Sequence, residues 1–177
     1  MTVYIAALYL HLLGALFLFM AFAVEWVIQG RVRSCASLEE AKPWLMAGRT
    51  VPLLGALGGI GVFIPGLFLA AREKLWAAAW IQAAITAAVV MALLGVAFTG
   101  PRMRALGKLA MAGGQAAADA SGRLRDPLVL YSLRVRAALG LGVLYLMAAK
   151  PDLATTLIAM GIAVILGIVL GVAGGSA

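Results

Sequence analysis

Five long apolar stretches, separated by short segments rich in charge, proline and glycine, dominate the sequence pattern. They cover residues 3–28, 51–71, 75–98, 127–149 and 153–172. Each holds about the 20 apolar residues that a bilayer-crossing helix needs. None alternates between polar and apolar residues at every second position, as a membrane barrel strand does. The pattern predicts one membrane domain, residues 1–177, that folds as an all-α polytopic bundle of five spans.

Prolines stand at the expected ends of the spans. Proline suits the first turn of a helix and stops a helix that reaches it later, so Pro52, Pro101, Pro127 and Pro151 are read as boundaries. The first stretch resembles a signal peptide only in part, since no basic residue precedes it and its apolar run continues to Ile28. We therefore expect a retained first span.

Charge is distributed unevenly between the loops. The 14 basic residues exceed the 7 acidic ones, and 11 of the 14 lie on one side of the expected spans. These are Arg31, Arg33, Lys42 and Arg49, then Arg102, Arg104, Lys108, Arg123 and Arg125, with Arg134 and Arg136 just inside the fourth span. Because cytoplasmic loops are enriched in Lys and Arg, loops 29–50 and 99–126 are expected in the cytoplasm of a bacterial inner-membrane protein. The N-terminus would then lie outside and the C-terminus inside.

The longer basic loop divides into two parts. Residues 102–111 are basic and weakly amphipathic, and we expect them to continue the third span onto the anionic membrane surface. Residues 112–122 are small and polar, and are interpreted as a solvated connector.

Composition excludes several functional classes. The chain is 64% apolar and 12% charged, against about 45–50% and 25% in soluble domains, so a soluble enzyme is excluded. The bases lie between apolar runs, so membrane topology explains the net charge of +7 and no nucleic-acid partner is expected. One cysteine and one histidine cannot form a Cys/His zinc site. No phosphate-binding loop and no nucleophile–base pair can be assembled.

Two ionisable residues fall within the first span, where such groups are costly and are functional candidates. His11 and Glu25 are fourteen residues apart, which places them within about 40° on the helix and about 21 Å apart along it. They are expected to mark two ends of one polar seam. His11 is either a metal or haem ligand, or a proton relay, or a hydrogen-bond donor to a neighbouring helix.

Glu25 is expected to pair with a base at the same membrane end. Arg49, Arg102, Arg134 and Arg136 are the candidates. Arg134 and Arg136 are about 200° apart around their helix, so only one can face inward to Glu25. The other can reach the interface or contact an anionic group such as a haem propionate.

Two further patterns, a pair of polar residues and several pairs of small residues, predict contacts between helices. Gln82 and Thr86, four residues apart, are expected to form hydrogen bonds between helices. Pairs of small residues four positions apart allow close helix approach within the chain, in a homo-oligomer or with a membrane partner. These pairs are Gly55 and Gly59, Ala138 and Gly142, Gly167 and Gly171, and Gly171 and Gly175.

The segment Tyr9–Leu10–His11–Leu12–Leu13–Gly14 resembles a Leu-His-hydrophobic-hydrophobic-Gly signature of small bacterial membrane proteins. That superfamily includes the copper-resistance protein D type, the small membrane protoporphyrinogen oxidases and an uncharacterised family of integral membrane proteins, which is the closest match. The basic start and Lys-Pro end of residues 133–151, and the basic close at residues 100–104, are also similar. The resemblance implies a four-helix core, with the C-terminal fifth span outside it, and makes His11 the candidate haem ligand.

The chain departs from that superfamily in having no second histidine, so one copy cannot provide bis-histidine ligation of haem. The sequence markers of the protoporphyrinogen oxidases are also not recognisable. The leading functional hypothesis is a haem-associated or redox accessory protein that uses His11. The alternative is a non-catalytic membrane scaffold, assembly factor or small permease subunit. A third hypothesis is a proton or ion path between His11 and Glu25.

Overall fold

A computed structural model describes residues 2–175 and shows a helical membrane protein. Eight α-helices are described: α1 (Thr2–Ser34), α2 (Leu38–Ala47), α3 (Val51–Arg72), α4 (Ala79–Leu93), α5 (Gly100–Ala112), α6 (Gly114–Asp119), α7 (Pro127–Ala149) and α8 (Leu153–Gly175). The described residues contain no strand. Five of the helical segments are long and apolar enough to cross a membrane. The predicted fold class, an all-α polytopic bundle, is confirmed.

Several helices extend beyond the apolar stretches. α1 continues six residues past Ile28 into the basic segment, and α2 occupies most of loop 29–50. The third membrane helix starts at Ala79 after a 3₁₀ turn at Leu75–Ala77. It then runs through a π-helical segment, Leu94–Thr99, into α5, so residues 102–111 continue the third span as the sequence predicts.

The interpretation of residues 112–122 as a solvated connector is wrong in part. α6 and a 3₁₀ turn at Ser121–Arg125 occupy much of this region and the residues just after it. Ala120 and Leu124 are buried against a small apolar core built from the end of α1, α2 and α5. The basic segments therefore fold into a compact cap on one end of the bundle, because α2 and α5 both carry apolar residues toward it.

α7 is the central helix of the bundle. Half of its most apolar window is buried, against 11–22% for the other four membrane-spanning segments, and it has the lowest mean hydropathy of the five, 1.4. It packs against α1, α4 and α8. A helix shielded from lipid by its neighbours tolerates polar groups better than an exposed one, and α7 carries the most deeply buried base of the protein.

Close helix contacts depend on particular glycines. α1 and α3 meet at Gly14 and Gly61, where a Cβ added to Gly61 would lie 2.8 Å from Cα of Gly14. A Cβ on Gly58 would lie 2.5 Å from the backbone nitrogen of Leu18. These backbones approach as closely as in other small-residue membrane contacts, and this fixes α3 beside the His11 half of α1.

Candidate functional site

The most polar buried region of the described chain surrounds Glu25 of α1 and Arg136 of α7. Nη2 of Arg136 lies 2.5 Å from Oε1 of Glu25, and both side chains are more than nine-tenths buried. Arg136 also donates from Nε to the carbonyl of Ser132 at 3.2 Å. Of the four bases that the sequence offers to Glu25, the structure selects Arg136.

The π-helical segment Leu94–Thr99 supplies the other partners of Arg136. Nη2 of Arg136 donates to Oγ1 of Thr99 at 3.2 Å, and Thr99 donates to Oγ of Ser132 at 2.9 Å. Ser132 in turn donates to the carbonyl of Leu94 at 3.1 Å. π-Helical turns are rare and frequent at functional sites. Here the segment places a hydroxyl and a backbone carbonyl where α7 can use them.

Two more residues complete the surroundings of the ion pair. Gln29 donates from Nε2 to Oε1 of Glu25 at 3.1 Å, one turn along α1. Gly95 leaves room for the guanidinium, since a Cβ there would lie 3.4 Å from Nη1 of Arg136. The Arg136 guanidinium also lies 5.8 Å from the centre of the Phe22 ring. The ion pair is thus enclosed by α1, α4 with its π-helical extension, and α7.

Oε1 of Gln29 has no hydrogen-bond partner within residues 2–175, although it is buried. Gln29 borders a cavity of about 10 Å³, which also touches Arg33 and Asp126 at the basic end. That volume is about the least that holds a water molecule. The polar network around Glu25 therefore approaches the basic end of the bundle through Gln29.

Arg134 faces away from this network, as its angular separation from Arg136 requires. Its guanidinium carbon lies 3.1 Å from the centre of the Trp26 ring. In the part of the chain that the structure describes, Arg134 forms no ion pair, and its buried Nε has no partner. It is therefore the base of α7 that remains available to an anionic group.

His11 lies at the contact between α1 and α3. Its Nδ1 is 2.8 Å from the carbonyl oxygen of Val62, and its ring lies against Gly66, where a Cβ would be 3.0 Å from Cε1. Because a carbonyl only accepts, Nδ1 carries the proton and Nε2 holds the lone pair. The imidazole is thus held in the tautomer that can bind a metal through Nε2.

The structure does not form a single seam from His11 to Glu25. His11 has its partner on α3, whereas Glu25 has its partner on α7. Oε1 of Glu25 accepts hydrogen bonds from Arg136 and from Gln29. The arrangement gives no support to a continuous proton path between the two residues.

The prediction that Gln82 and Thr86 bond to another helix is wrong. Gln82 donates to the carbonyl of Trp76 at 3.1 Å, in the turn before its own helix. Thr86 donates to the carbonyl of Gln82 at 2.8 Å. Both bonds are local, and both side chains lie on an exposed face of α4.

Cys35 lies outside the membrane spans, in the cap at the basic end. Its side chain is buried and its Sγ donates to the carbonyl of Arg31 at 3.2 Å. Burial, and then the charge of Glu40, raise the pKa of the thiol above its usual range. The thiol is protonated at neutral pH, which makes it a packing residue of the cap.

His11 is the residue of the described chain whose ring is placed to bind a metal. His11 has the geometry of an axial ligand, with its second nitrogen fixed by a carbonyl. No group of three His, Cys, Asp or Glu side chains in residues 2–175 comes together as a metal site. His11 is not among the residues that line the cavity beside Gln29 or the cleft between Phe19 and Leu141.

Sequence reasoning missed Thr99, Ser132 and Gln29 as members of the buried network. A signal for two of them is present, since Ser132 precedes Arg136 by four residues and Gln29 follows Glu25 by four. Polar residues at that spacing share a helix face. Thr99 had no such signal, because the π-helical turn changes its register.

Comparison with known proteins yields no relative: no family model, no curated protein and no solved structure matches this chain. The likeness around His11 to the copper-resistance protein D superfamily therefore stays a resemblance of short motifs. Function has to be inferred from the geometry of the buried residues and of the helix surfaces.

Proposed function

We propose that this protein is a non-catalytic integral membrane protein, a scaffold, assembly factor or small permease subunit, whose helices present surfaces to a membrane partner. The observation that carries the proposal is the Glu25–Arg136 ion pair. The pair satisfies the buried charge of two helices internally and is enclosed by Thr99, Ser132 and Gln29. Such a pair fixes the register of α1 against α7.

The outward face of α3 supports a binding role. Of the small-residue pairs in the sequence, Gly142, Gly167 and Gly171 meet side chains or backbone of α7 or α8 within the chain, whereas Gly55 and Gly59 meet nothing within 4 Å. Helix partners in membranes approach through such small residues. We propose this face of α3 as the contact with a second copy or another membrane protein.

Crosslinking in native membranes tests the partner role. A photoreactive side chain introduced at Ala56 or Phe63, which are exposed and lie on the same side of α3 as Gly59, is expected to yield one discrete crosslinked species. Gly59→Leu should abolish that species, whereas Gly161→Leu, which also meets open space on α8, should leave it unchanged. A chain that stays monomeric and yields no crosslink under these conditions contradicts the proposal.

We also propose the inner membrane, with the N-terminus outside and the basic cap in the cytoplasm. This rests on the positive-inside bias and on the gathering of α2, α5 and the Ser121–Arg125 turn at one end. In a Cys35→Ser background, an impermeant maleimide added outside spheroplasts should label Asp152→Cys and spare Glu39→Cys. The reverse labelling would invert the topology.

A second candidate function, a haem-associated or redox accessory role, is favoured by the tautomer of His11. The Nδ1–H bond to Val62 presents the lone pair of Nε2, which is how a neutral imidazole binds iron. A bound haem would supply one-electron redox chemistry. His11 would hold it as one axial ligand, and a second copy or a partner would have to provide the remaining contacts.

The visible spectrum of protein purified from haem-supplied cells tests this candidate. A Soret band is expected in the wild type and is expected to disappear in His11→Ala. Gln82→Ala serves as the control, because Gln82 lies on an exposed face of α4. A wild type without the band, or a band that His11→Ala leaves unchanged, excludes haem ligation by this residue.

A further inference from the structure

A cleft of about 410 Å³ opens on the outside of the bundle between α1 and α7. Its walls include Phe19, Ala23, Trp26 and Val27 of α1 and Ala137 and Leu141 of α7. The volume falls within the range of roughly 300–1,000 Å³ that is typical of small-molecule sites. The α1 wall extends over nine residues, or about 12 Å along the helix axis. The cleft is apolar, open to lipid and elongated.

Arg134 stands at the basic end of this cleft. It lies one turn before Ala137 on α7, and its guanidinium covers the ring of Trp26, 3.1 Å from the ring centre. The buried Nε of Arg134 has no hydrogen-bond partner among the described residues. A cation and an indole at the mouth of an apolar cleft form the chemical profile of a phospholipid: an acyl chain inside and an acidic headgroup at the interface.

A second cation lies nearby. Nη2 of Arg33 donates to the carbonyl of Gly174 at 3.3 Å, and a Cβ added to Gly174 would lie 3.6 Å from Nη2 of Arg134. Both guanidinium groups thus gather near the C-terminal end of α8. Within residues 2–175 neither forms an ion pair with a carboxylate, so the mouth of the cleft carries uncompensated positive charge.

We propose that this cleft binds one anionic phospholipid of the leaflet on the basic side. One acyl chain lies between α1 and α7, and the phosphate accepts hydrogen bonds from Arg134, with Arg33 as the second cation. Charge complementarity selects an anionic lipid, because a zwitterionic headgroup brings its own cation to a site that already has two. The inference is independent of His11 and of the proposed partner face on α3.

Native mass spectrometry of the detergent-solubilised full chain, titrated with phosphatidylglycerol or phosphatidylcholine, tests the proposal. The wild type is expected to retain one phosphatidylglycerol more tightly than phosphatidylcholine. Since one arginine near an anionic surface contributes about 1 kcal/mol, Arg134→Gln should weaken phosphatidylglycerol binding about fivefold. Arg104→Gln, at an exposed position of α5, should change phosphatidylglycerol binding little. Arg134→Lys should recover part of the loss.

The apolar half of the site has its own test. Ala23→Leu fills the cleft and should lower the retention of both lipids, whereas Ala6→Leu, on an exposed part of the same helix, should not. Equal retention of the two lipids by the wild type, equal effects of Arg134→Gln and Arg104→Gln, or displacement of the lipid by millimolar inorganic phosphate would overturn the proposal. Loss of self-association without loss of lipid in Ala23→Leu would assign the cleft to a second copy and overturn it too.

Discussion

The two halves of α1 handle a polar side chain in opposite ways. In the half near the N-terminus, His11 is half-buried and uses one backbone carbonyl of the adjacent helix. In the half near the basic cap, Glu25 is more than nine-tenths buried and pairs with a charged side chain from the far end of the sequence. A neutral imidazole loses little on leaving water, whereas a carboxylate needs a counter-charge and further donors. Hence the His11 half retains a free lone pair on Nε2 of the imidazole. In the Glu25 half, the carboxylate is held by Arg136 and Gln29.

The same contrast separates Arg134 from Arg136. Arg136 is directed into the bundle and is satisfied by Glu25, Thr99 and Ser132. Arg134 is directed outward over Trp26. Arg136 thus has a structural role, whereas Arg134 is available to a ligand. The two differ because residues two positions apart point about 200° away from each other on a helix.

The largest effect is expected from breaking the buried pair. Arg136→Ala leaves Glu25 buried without its ionic partner, and should lower the free energy of unfolding by about 3–5 kcal/mol. Unfolding in mixed micelles of dodecylmaltoside and SDS, followed by circular dichroism, measures it. The double variant Glu25→Leu with Arg136→Met should lose much less. A loss within about 1 kcal/mol for Arg136→Ala would show that the pair is not essential to the fold.

The glycine contacts near His11 are the next most sensitive feature. Gly58→Ala places a methyl group against the backbone of Leu18 and should cost about 1–3 kcal/mol through overpacking. Gly59→Ala, its neighbour in sequence, meets open space and should cost nothing. The same unfolding assay compares them. Equal losses in the two variants would contradict the α1–α3 contact.

Thr99→Val should have an effect of similar size at the Glu25 end. It removes an acceptor of Arg136 and the donor to Ser132, which leaves buried polar groups unsatisfied at about 1–3 kcal/mol. Thr86→Val, which loses only a local bond on an exposed face, is the matched control. Identical stability of the two variants would show that the hydroxyl chain contributes nothing.

His11→Ala should reduce stability by only about 1 kcal/mol, the net value of one hydrogen bond. The carbonyl of Val62 remains part of helix α3, and the loss of the imidazole leaves no charged group without a partner. The comparison of the two halves requires this loss to be well below that of Arg136→Ala in the same assay. A loss as large as that of Arg136→Ala would make His11 a structural residue of the same importance as the ion pair.

The smallest effect concerns a carboxylate outside the lipid, Asp152 before α8. Hydrogen bonds from Thr155 lower its pKa below the ordinary value of 3.8. The native state therefore gains stability from the ionised form above pH 3.8 and loses it as pH falls through the lowered pKa. Asp152→Asn should flatten this acid dependence in an unfolding titration. An unchanged acid limb would show that this carboxylate does not contribute.

The fold was largely readable from the sequence because lipid imposes long apolar helices, and the boundaries at Pro127 and Pro151 follow from proline chemistry. Packing was not readable. The spans are apolar around their whole circumference, so no polar stripe shows which face turns inward. Gly58 and Gly59 are adjacent, yet only the first packs against α1.

The site was readable in part. Glu25 and the alternative of Arg134 or Arg136 follow from charge at membrane depth, but the choice of Arg136 depends on how α1 and α7 are rotated. Thr99 was hidden because a π-helical turn departs from 3.6 residues per turn. Sequence patterns that assume the regular helix therefore miss the residues which that turn brings together.

The π-helical turn at Leu94–Thr99 also sets the orientation of α5, the helix that continues from it. The π-turn accommodates one extra residue within a single wider turn, whereas deleting Ala92 from the regular part of α4 would rotate everything that follows, α5 included, by about 100°. Leu106 and Ala110, now buried against α2 in the cap, would turn away from it. The helix register beside Arg136 therefore also determines how α5 packs in the cap. An insertion or deletion of one residue in the regular helix deep in the bilayer would misalign α5 at the membrane surface.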